Sequence, residues 1–497
     1  MDIIQSLLAQ SPVGRSAVAA FGIGLVLYLI FINNRMRGVP DDMKRLKQKP
    51  WTFEMLKEAY ARLEKNPITV KTTKDRLPPK LSRRYVVVGG NGLVGGYIVL
   101  QLLARGQSPE SIRIVDYQKM HRKDMLEGPA AEIDVIHTDI SSVASTDAAF
   151  TKAWPSLVAK LPLTVFHTAA VMVPSDRSQS AYKFLERINI EGTKNVLAAA
   201  RKAGADVFIS TASGSISVRN VELWMAPWRL CGWPKNYVQP LNEADFSRPL
   251  RPFTEFYSAY AASKATAERI VCDANCERLR TGTIRPANGI YGHPTDNVVG
   301  SPLNLATCPA WSYNIVNSFI HGMNCSLAHL DFEAVLADPR SSTMPQAGRP
   351  FTVTDPNAPI QFQDMYFALE KLSVTPFRTV PLIPVHMLVT AYMIEFYMML
   401  PHRFPILKDI LPKVSGDAKY LQPALFSIMT HLYATNDPAS KPVKEGGIGY
   451  HGVINTTDGM VQQIVEWNNE HIGRQENAWV KYKSSMTLAD EFEDLQK

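Results

Sequence analysis

A tyrosine and a lysine four residues apart, Tyr260 and Lys264, have the types and the spacing that proton transfer requires. Residues at positions i and i+4 lie on one face of a helix, so the lysine ammonium would lie near the phenol oxygen. A free phenol has a pKa of about 10. A neighbouring cation favours the phenolate, and Tyr260 could then exchange a proton with an alcohol near neutral pH. Such a pair is common by chance, so its meaning depends on the elements around it.

A glycine-rich turn follows the apolar run 85–88, which suits a strand buried on both faces. Gly89 permits a tight turn, Gly92 lets the backbone approach a pyrophosphate, and Gly95 allows the next helix to pack on the strand. The N–H groups at the start of that helix would point at the anion. The residues that we expect to bind a dinucleotide here are Gly89, Gly92, Leu93, Val94 and Gly95.

An acidic residue ends the next predicted strand. Asp116 follows the strand 111–115, about twenty positions past the last glycine, where a carboxylate can bind the ribose hydroxyls of adenosine. The same carboxylate would repel a 2′-phosphate, so we expect NAD as the cofactor. Arg113 and Arg122 are near enough in the sequence to keep NADP as the alternative.

Strands and helices continue to alternate beyond Asp116. The predicted elements are the strands 133–138, 164–167 and 206–210 and a strongly patterned helix over 188–204. This alternation predicts an α/β fold with a Rossmann-type, doubly wound parallel sheet, whose ligands bind at the carboxyl ends of the strands.

Side chains at those strand ends are candidates for the site. The Asp139 carboxylate and the Ile140 N–H could hold the adenine. Ala169 and Ala170 are small enough for a cofactor to lie across the sheet edge. Thr211, at the end of the fifth strand, could supply a hydroxyl that orients the catalytic phenol oxygen.

Composition limits the class of protein. The chain has 497 residues, 46% of them hydrophobic, which is enough for one large α/β domain with extensions or for two domains. No nucleic-acid module is visible, and the basic cluster near the N-terminus favours a membrane surface as partner. The five cysteines lack framework spacing, which suits reduced thiols in a cytosolic compartment. Cys272 and Cys276 could share a helix face, but nothing else has ligand spacing, so we expect no metal site.

The segment 16–34 carries no charge and would span roughly 28 Å as a helix, about the thickness of the hydrocarbon core of a bilayer. It could be a cleaved signal peptide, a buried helix or a membrane anchor. No small-residue cleavage site follows it, and Arg35 and Arg37 lie on its C-terminal side, which favours a single-pass anchor with the catalytic domain in the cytosol. In a eukaryote, the endoplasmic reticulum membrane is the expected location.

The chain divides into five predicted regions. They are a membrane anchor (1–35), a basic tether along the membrane with one short helix over 52–65 (36–81), an NAD-binding core with the catalytic pair (82–300), a substrate-binding and membrane-associated region (301–475) and a polar tail (476–497).

The order of these features resembles the extended branch of the short-chain dehydrogenase/reductase superfamily. Within it the sequence is most similar to the 3β-hydroxysteroid dehydrogenase/isomerase family, which includes decarboxylating sterol-4α-carboxylate 3-dehydrogenases. The resemblance covers roughly residues 84–470. The matching motifs are 88–95, 165–170, 189–196, 260–264, 284–292, 348–354 and the late segment 448–467.

The resemblance implies roles for individual residues. Tyr260 would be the general acid or base, and Lys264 its partner and a ribose ligand. Thr211 stands where the family usually has serine, with Ser213 as the alternative if the strand register differs. Asn189 matches a position that supports a proton relay in some relatives. Pro286 would line the nicotinamide side of the cofactor.

Two apolar stretches bear on the substrate. The aromatic-rich segment 218–256 is long for a compact family member, and we expect it to shape or cover a pocket for a flat apolar ligand, unless its tryptophans only pack a loop. The stretch 380–400 contains Pro381, Pro384, His386 and Glu395, so a second full span is not expected. The resemblance implies a helix leaning into the bilayer, through which a sterol could enter; a buried helix is the alternative.

The predicted activity is the NAD-dependent oxidation of the 3β-hydroxyl of a steroid, sterol or triterpenoid-like lipid. A C4 carboxylate would make the product a β-keto acid, which loses CO2 without further catalytic groups. We favour this over an isomerase, because isomerisation needs another acid or base. The alternatives are a specialised-metabolism enzyme acting on a terpenoid or polyketide ketone or alcohol, and an NAD(P)-binding sensor. The intact pair Tyr260 and Lys264 argues against a sensor, and a homodimer is left open.

Overall fold

The computed structural model describes residues 12–120, 122–229, 231–408, 410–474, 479–483 and 486. The predicted polar tail, 476–497, therefore lies largely outside the described residues. The described strands are β1 (Arg84–Val88), β2 (Ile112–Asp116), β3 (Asp134–His137), β4 (Leu163–His167), β5 (Ala205–Thr211), β6 (Val238–Leu241), β7 (Arg280–Pro286), β8 (Ile290–Tyr291), β9 (Thr307–Ala310), β10 (Val316–Asn317), β11 (Ile320–His321), β12 (Pro350–Val353), β13 (Ile360–Gln361), β14 (Arg378–Pro381) and β15 (His431–Ala434).

The α-helices of the described residues lie between these strands and on both flanks. They are α1 (Pro12–Arg37), α2 (Asp41–Leu46), α3 (Phe53–Lys65), α4 (Leu93–Ala104), α5 (Val143–Thr151), α6 (Gln179–Leu185), α7 (Gly192–Lys202), α8 (Ala259–Asp273), α9 (Gly300–Leu303), α10 (Gly322–Leu336), α11 (Phe362–Leu372), α12 (Pro384–Arg403), α13 (Leu425–Ile428), α14 (Asp437–Ser440) and α15 (Thr456–His471). Helix α8 ends before Cys276, so Cys272 and Cys276 do not share a helix face as predicted.

A seven-stranded sheet in the order β12-β7-β5-β4-β1-β2-β3 forms the centre of the molecule. Every neighbouring pair in it is parallel, which confirms the predicted Rossmann-type fold. The strand order reverses between β1 and β4, and such a switch point opens a crevice at the carboxyl ends of the strands.

Burial on both faces explains the continuous apolar run of β1. Tyr85 and Val87 pack with helices α4 and α10 on one side of the sheet, whereas Val86 and Val88 pack with α7 and α8 on the other. A parallel strand covered on both sides has no polar face, so its side chains do not alternate between apolar and polar.

The predicted boundary at residue 300 does not separate two regions of structure. Beyond it the chain builds the four-stranded sheet β13-β10-β15-β6, but it also returns to the central sheet, where β12 pairs with β7. Helix α10 packs against α4 in the same layer. Strand β12, which comes late in the chain, thus completes the central sheet beside β7.

Within the segment 36–81, predicted to be a tether, helix α3 packs into the domain. Helix α3 buries Leu56, Ala59 and Leu63, which are spaced along one face, against α11 and α15. Its Arg62 binds Asp458 at 2.6 Å. Burial of the apolar face of α3 against α11 and α15 is the packing expected of an amphipathic helix in a domain.

Helix α1 changes its surroundings along its length. Among the described residues, only the region Gly14–Leu46 contains a helix that is long and apolar enough to cross a membrane, with a mean hydropathy of 2.1 over its most apolar window. Phe21 is 74% exposed, whereas Ile32 is fully buried in the domain. This helix is compatible with the predicted anchor.

Candidate active site

Two positions of the glycine turn between β1 and α4, Gly89 and Gly95, have no room for a side chain. Gly89 has a φ of +82°, and a Cβ there would lie 2.6 Å from the Ala169 nitrogen. A Cβ on Gly95 would lie 2.2 Å from the Gly89 oxygen. Gly92 precedes α4 without any side-chain cap, so the first N–H groups of the helix remain available to a ligand. The turn therefore fits the diphosphate of a dinucleotide.

Asp116 lies against this turn at the end of β2. Its two carboxylate oxygens accept hydrogen bonds from the Asn91 and Gln118 backbone nitrogens, both at 2.9 Å. The Asn91 side chain in turn donates to the Gln118 carbonyl at 2.6 Å. The glycine turn and the predicted ribose-binding carboxylate thus form one rigid unit.

The two arginines that could have received a 2′-phosphate already bind groups of the protein. Arg113 is buried, pairs with Asp134 at 3.2 Å and stacks on Trp154. Arg122 binds Asp124 at 2.6 Å and donates to the carbonyls of Gly92 and Leu93. Gly96 makes room for this guanidinium, since a Cβ there would lie 2.7 Å from it.

The predicted adenine and nicotinamide contacts lie along the same sheet edge. Asp139 follows β3, and its carboxylate accepts from the Ser141 nitrogen at 2.9 Å. Ile140 beside it is buried. Ala169 donates its N–H to the Val88 carbonyl at 3.1 Å, and Ala170 next to it is exposed.

The catalytic candidates lie on α8, which begins after the capping Ser258. Lys264 is buried, and its Nζ donates to the Thr211 carbonyl at 2.6 Å. Burial lowers the pKa of Lys264 to about 8. The ammonium therefore reaches the end of β5, one strand away from the switch point.

The phenol of Tyr260 does not have the lowered pKa that the sequence predicted. Burial raises the pKa of Tyr260 to about 12, and a hydrogen bond from Ser213 opposes that rise. The Lys264 ammonium binds a backbone carbonyl, so in the protein alone it does not offset the desolvation of the phenol.

The structure also corrects the predicted role of the Thr211 side chain. Its hydroxyl is hydrogen-bonded to His329 Nε2 at 2.8 Å, in the interior behind β5. Ser213 instead stands beside Tyr260, and its Oγ is 2.8 Å from Ser215 Oγ. Ser213 is thus the better candidate for orienting the phenol, while Thr211 contributes its carbonyl to Lys264.

A pair of variants separates these two hydroxyls. Ser213→Ala should lower kcat by about 100-fold, because it removes a donor beside the Tyr260 oxygen. Thr211→Val keeps the carbonyl that holds Lys264 and should change kcat far less, although it leaves a buried histidine nitrogen unpaired. Steady-state kinetics on both proteins measure the difference, and equal losses would contradict the assignment.

Asn189 lies in a π-helical turn, Glu186–Glu191, where the sequence predicted a regular helix. Such turns recur at functional sites. The Asn189 amide bonds both backbone groups of Val171, at 2.9 and 3.0 Å, and donates to Ser263 Oγ at 3.0 Å. It therefore fixes the loop after β4 against the helix turn that carries Lys264. Pro286 is buried at the end of β7, beside β5.

Two histidines near the site were not identified from the sequence. His167 ends β4, bonds Thr193 at 2.9 Å and leaves its buried Nδ1 without a partner. Burial, with a smaller effect of Lys264, lowers the pKa of His167 to about 3. Burial likewise lowers the pKa of His329 to about 4. His167 could have been found as a polar residue at a strand end, but His329 lies 118 positions beyond Thr211 without a local signal.

Metal ligands are not clustered in the part of the chain that the structure describes. No group of three or more His, Cys, Asp or Glu side chains there could hold an ion.

Comparisons with known proteins agree with this geometry. Residues 86–375 match the model of the 3-beta hydroxysteroid dehydrogenase/isomerase family. A 3-beta-hydroxysteroid dehydrogenase of Mycolicibacterium neoaurum is 28% identical over 265 residues, which are 50% of this chain and 61% of that protein. The human decarboxylating sterol-4-alpha-carboxylate 3-dehydrogenase is 26% identical over 334 residues, 63% of this chain and 73% of that protein. The chain thus spans less than two thirds of the length of the bacterial relative.

Solved structures support the fold. The UDP-glucose 4-epimerase of Bifidobacterium longum, in complex with NAD+ and UDP, superposes with a TM-score of 0.52 at 14% identity. The match covers 78% of this chain and 98% of the epimerase.

Proposed function

Because the chain belongs to the 3-beta hydroxysteroid dehydrogenase/isomerase family, we propose that it oxidises the 3β-hydroxyl of a sterol or steroid-like lipid with NAD. The observation that carries this proposal is the position of Tyr260, with Ser213 and Lys264, at the sheet edge that also holds the glycine turn. A sensor would need the turn but not the buried lysine and the oriented phenol.

Each residue of the site has a separate role in the proposed reaction. The turn after β1 and the N-terminus of α4 would hold the diphosphate, and Asp116 the ribose. Tyr260 would accept the proton of the substrate hydroxyl, with Ser213 orienting both oxygens. The Lys264 ammonium would stabilise the Tyr260 phenolate that accepts this proton, and Asn189 would keep the lysine in position. NAD, when bound, supplies the carbon that accepts the hydride.

Two features favour NAD over NADP. Asp116 holds a negative charge where a 2′-phosphate would lie. Arg113 and Arg122, which might have compensated it, each pair with a carboxylate of the protein.

A sterol with a C4 carboxylate is the substrate class that we favour. Oxidation at C3 makes it a β-keto acid, whose decarboxylation needs no further catalytic residue. The human relative is named for this reaction, and the mechanism above assigns no residue that an isomerisation would require. We assign residues 82–300 mainly to the cofactor and 301–475 mainly to the substrate.

We further propose that α1 anchors the protein as a single span, with the catalytic domain in the cytosol. The exposed apolar surface of α1 and the basic residues Arg35 and Arg37 at its end support this orientation. The endoplasmic reticulum membrane, where its lipid substrate would be found, is the proposed location.

The test uses the full chain in detergent with NAD or NADP and a panel of 3β-hydroxysteroids that includes a 4-carboxysterol. Reduced nicotinamide is followed by absorbance, and CO2 release by a labelled carboxylate. We expect NAD reduction with 3β-hydroxysterols, CO2 release from the carboxysterol, and no reaction with the matched 3α-hydroxy epimers. Turnover of non-sterol alcohols alone, with NAD bound, would contradict the proposal.

A further inference from the structure

The segment 224–229, which we name the aromatic loop, carries two exposed tryptophans beside the anchor helix. Trp228 is 82% exposed and Trp224 39%. The residues beneath them, Leu223 and Met225, are buried. The base of the loop is therefore buried in the domain, and its two tryptophan side chains are exposed to solvent or to another surface.

The root of the loop holds helix α1. Tyr28 of the helix donates its hydroxyl to the Met225 carbonyl at 2.8 Å and stacks on Trp224, with 6.3 Å between the rings. Farther along, Tyr237 donates to the Met36 carbonyl at 2.6 Å. The segment 218–256 thus contacts the anchor helix through Trp224, Met225 and Tyr237.

A second apolar surface continues that of the loop. Trp224 also lies 6.4 Å from the ring of Tyr392 on α12. That helix buries Val385 and Leu388 but leaves Met393 and Phe396 each 66% exposed. The aromatic loop therefore lies between two helices with exposed apolar faces.

The loop meets α1 where the helix would leave a bilayer. The uncharged stretch 16–34 has the roughly 20 residues that cross a hydrocarbon core, so a span formed by it ends near Asn34. Burial in the domain begins close to that end, with Ile32. Tyr28 and the Trp224 ring on it lie one turn before Ile32, toward the end of the span, where tryptophan and tyrosine are enriched in membrane proteins.

We propose that the aromatic loop inserts into the headgroup region of the lipid bilayer and is a second point of attachment beside α1. A bilayer is the occupant we infer because the loop surface is continuous with that of the helix, and because Arg229 next to Trp228 is exposed and can meet lipid phosphates. The inference rests on the proposed anchoring by α1. Two points of attachment would hold the active site at a fixed tilt and distance from the membrane.

Bromolipid quenching tests the contact directly. The full chain is reconstituted into phosphatidylcholine vesicles with and without brominated acyl chains, and tryptophan fluorescence is compared. We expect Trp228→Phe to remove a large part of the quenching seen in the wild type. Trp154→Phe is the matched control, because Trp154 stacks on Arg113 of β2 and not on the anchor helix, and it should leave the quenched fraction unchanged. Quenching that is the same in wild type and Trp228→Phe would overturn the proposal.

Two native cysteines give an independent measurement. Cys231, near the loop, and Cys276, between α8 and β7, are exposed, whereas the other three are buried. A membrane-impermeant maleimide should label Cys231 about tenfold more slowly in vesicles than in detergent, and Cys276 at equal rates.

Flotation of the same vesicles separates the two proposals. A chain that fails to float refutes the anchor and the loop contact together. A chain that floats while Cys231 stays as reactive as in detergent refutes the loop contact alone. Protection of Cys231 in detergent that grows with protein concentration would show a second copy on the loop, and would also overturn the proposal.

Discussion

Tyr260→Phe is expected to lower kcat for sterol oxidation by about 100- to 10,000-fold while NAD still binds. In the proposed mechanism the phenol oxygen, which is hydrogen-bonded to Ser213, accepts the substrate proton, and phenylalanine retains the ring that packs against the domain. Only the proton acceptor is lost. Rapid-mixing kinetics with a 3β-hydroxysterol measure the loss, and NAD binding followed by protein fluorescence shows that the site is intact.

The pH profile is the control that assigns the phenol. The productive form has Tyr260 deprotonated and Lys264 protonated, with pKa values of about 12 and 8 in the protein alone. Between pH 8 and 12 the dominant form has a neutral phenol and a neutral amine. It carries as many protons as the productive form, so the fraction of the protein in the productive form does not change with pH in this range. Below pH 8 the dominant form has a neutral phenol and a protonated Lys264, and it must lose one proton to become productive. The value of kcat/KM should therefore rise about tenfold per pH unit up to pH 8 and then level off. In Lys264→Met it should keep rising beyond pH 8; an unchanged profile would contradict the pairing.

Gly95→Ala is expected to weaken NAD binding, which is a different mechanism of damage. Its Cβ would lie 2.2 Å from the Gly89 oxygen and 2.8 Å from Thr168 Oγ1, and the first contact is with backbone that cannot rotate away. Helix α4 must shift, which moves its N-terminal N–H groups off the diphosphate. Overpacking of this kind costs about 1–3 kcal/mol, or roughly 5- to 150-fold in Kd if the whole cost falls on binding.

Isothermal titration with NAD measures that change, and thermal unfolding shows how much of it falls on the fold. Gly24→Ala is the matched control, because its Cβ would meet no atom within 4 Å. NAD affinity that is unchanged in Gly95→Ala would remove the diphosphate from this turn and, with it, the cofactor part of the proposal.

Much of the central sheet could be predicted from the sequence because parallel strands are buried on both faces. The apolar runs of β1, β2 and β4 lie within one or two residues of their predicted bounds, and strand order alone places Asp116 and the glycine turn on one edge. Parallel geometry aligns all carboxyl ends, so the candidates collect there without knowledge of loops.

What could not be predicted depends on side-chain direction and on distant contacts. Whether Thr211 or Ser213 faces the phenol is decided by the short 3-10 turn 214–217 after β5, which the sequence does not specify. The bond from Thr211 to His329 joins residues 118 positions apart, and the pairing of Pro350 in β12 with Thr283 in β7 joins residues 67 positions apart. The spacing of Leu56, Ala59 and Leu63 is that of one apolar helix face, so the sequence contained the signal for the packing of α3. The many charged residues around it favoured the prediction of a tether instead.

The contact of α3 with α15 has a consequence for how the protein is made. Arg62 and Asp458 are 396 positions apart, and the Ile68 backbone also pairs with Gln462 of the same late helix. At synthesis rates of about 5–20 residues per second, α3 waits roughly 20–80 seconds on the ribosome before its partner exists. During that interval the part of its apolar face that packs on α15 stays uncovered. Loss of α15 would therefore damage the packing of α3 near the other end of the described chain.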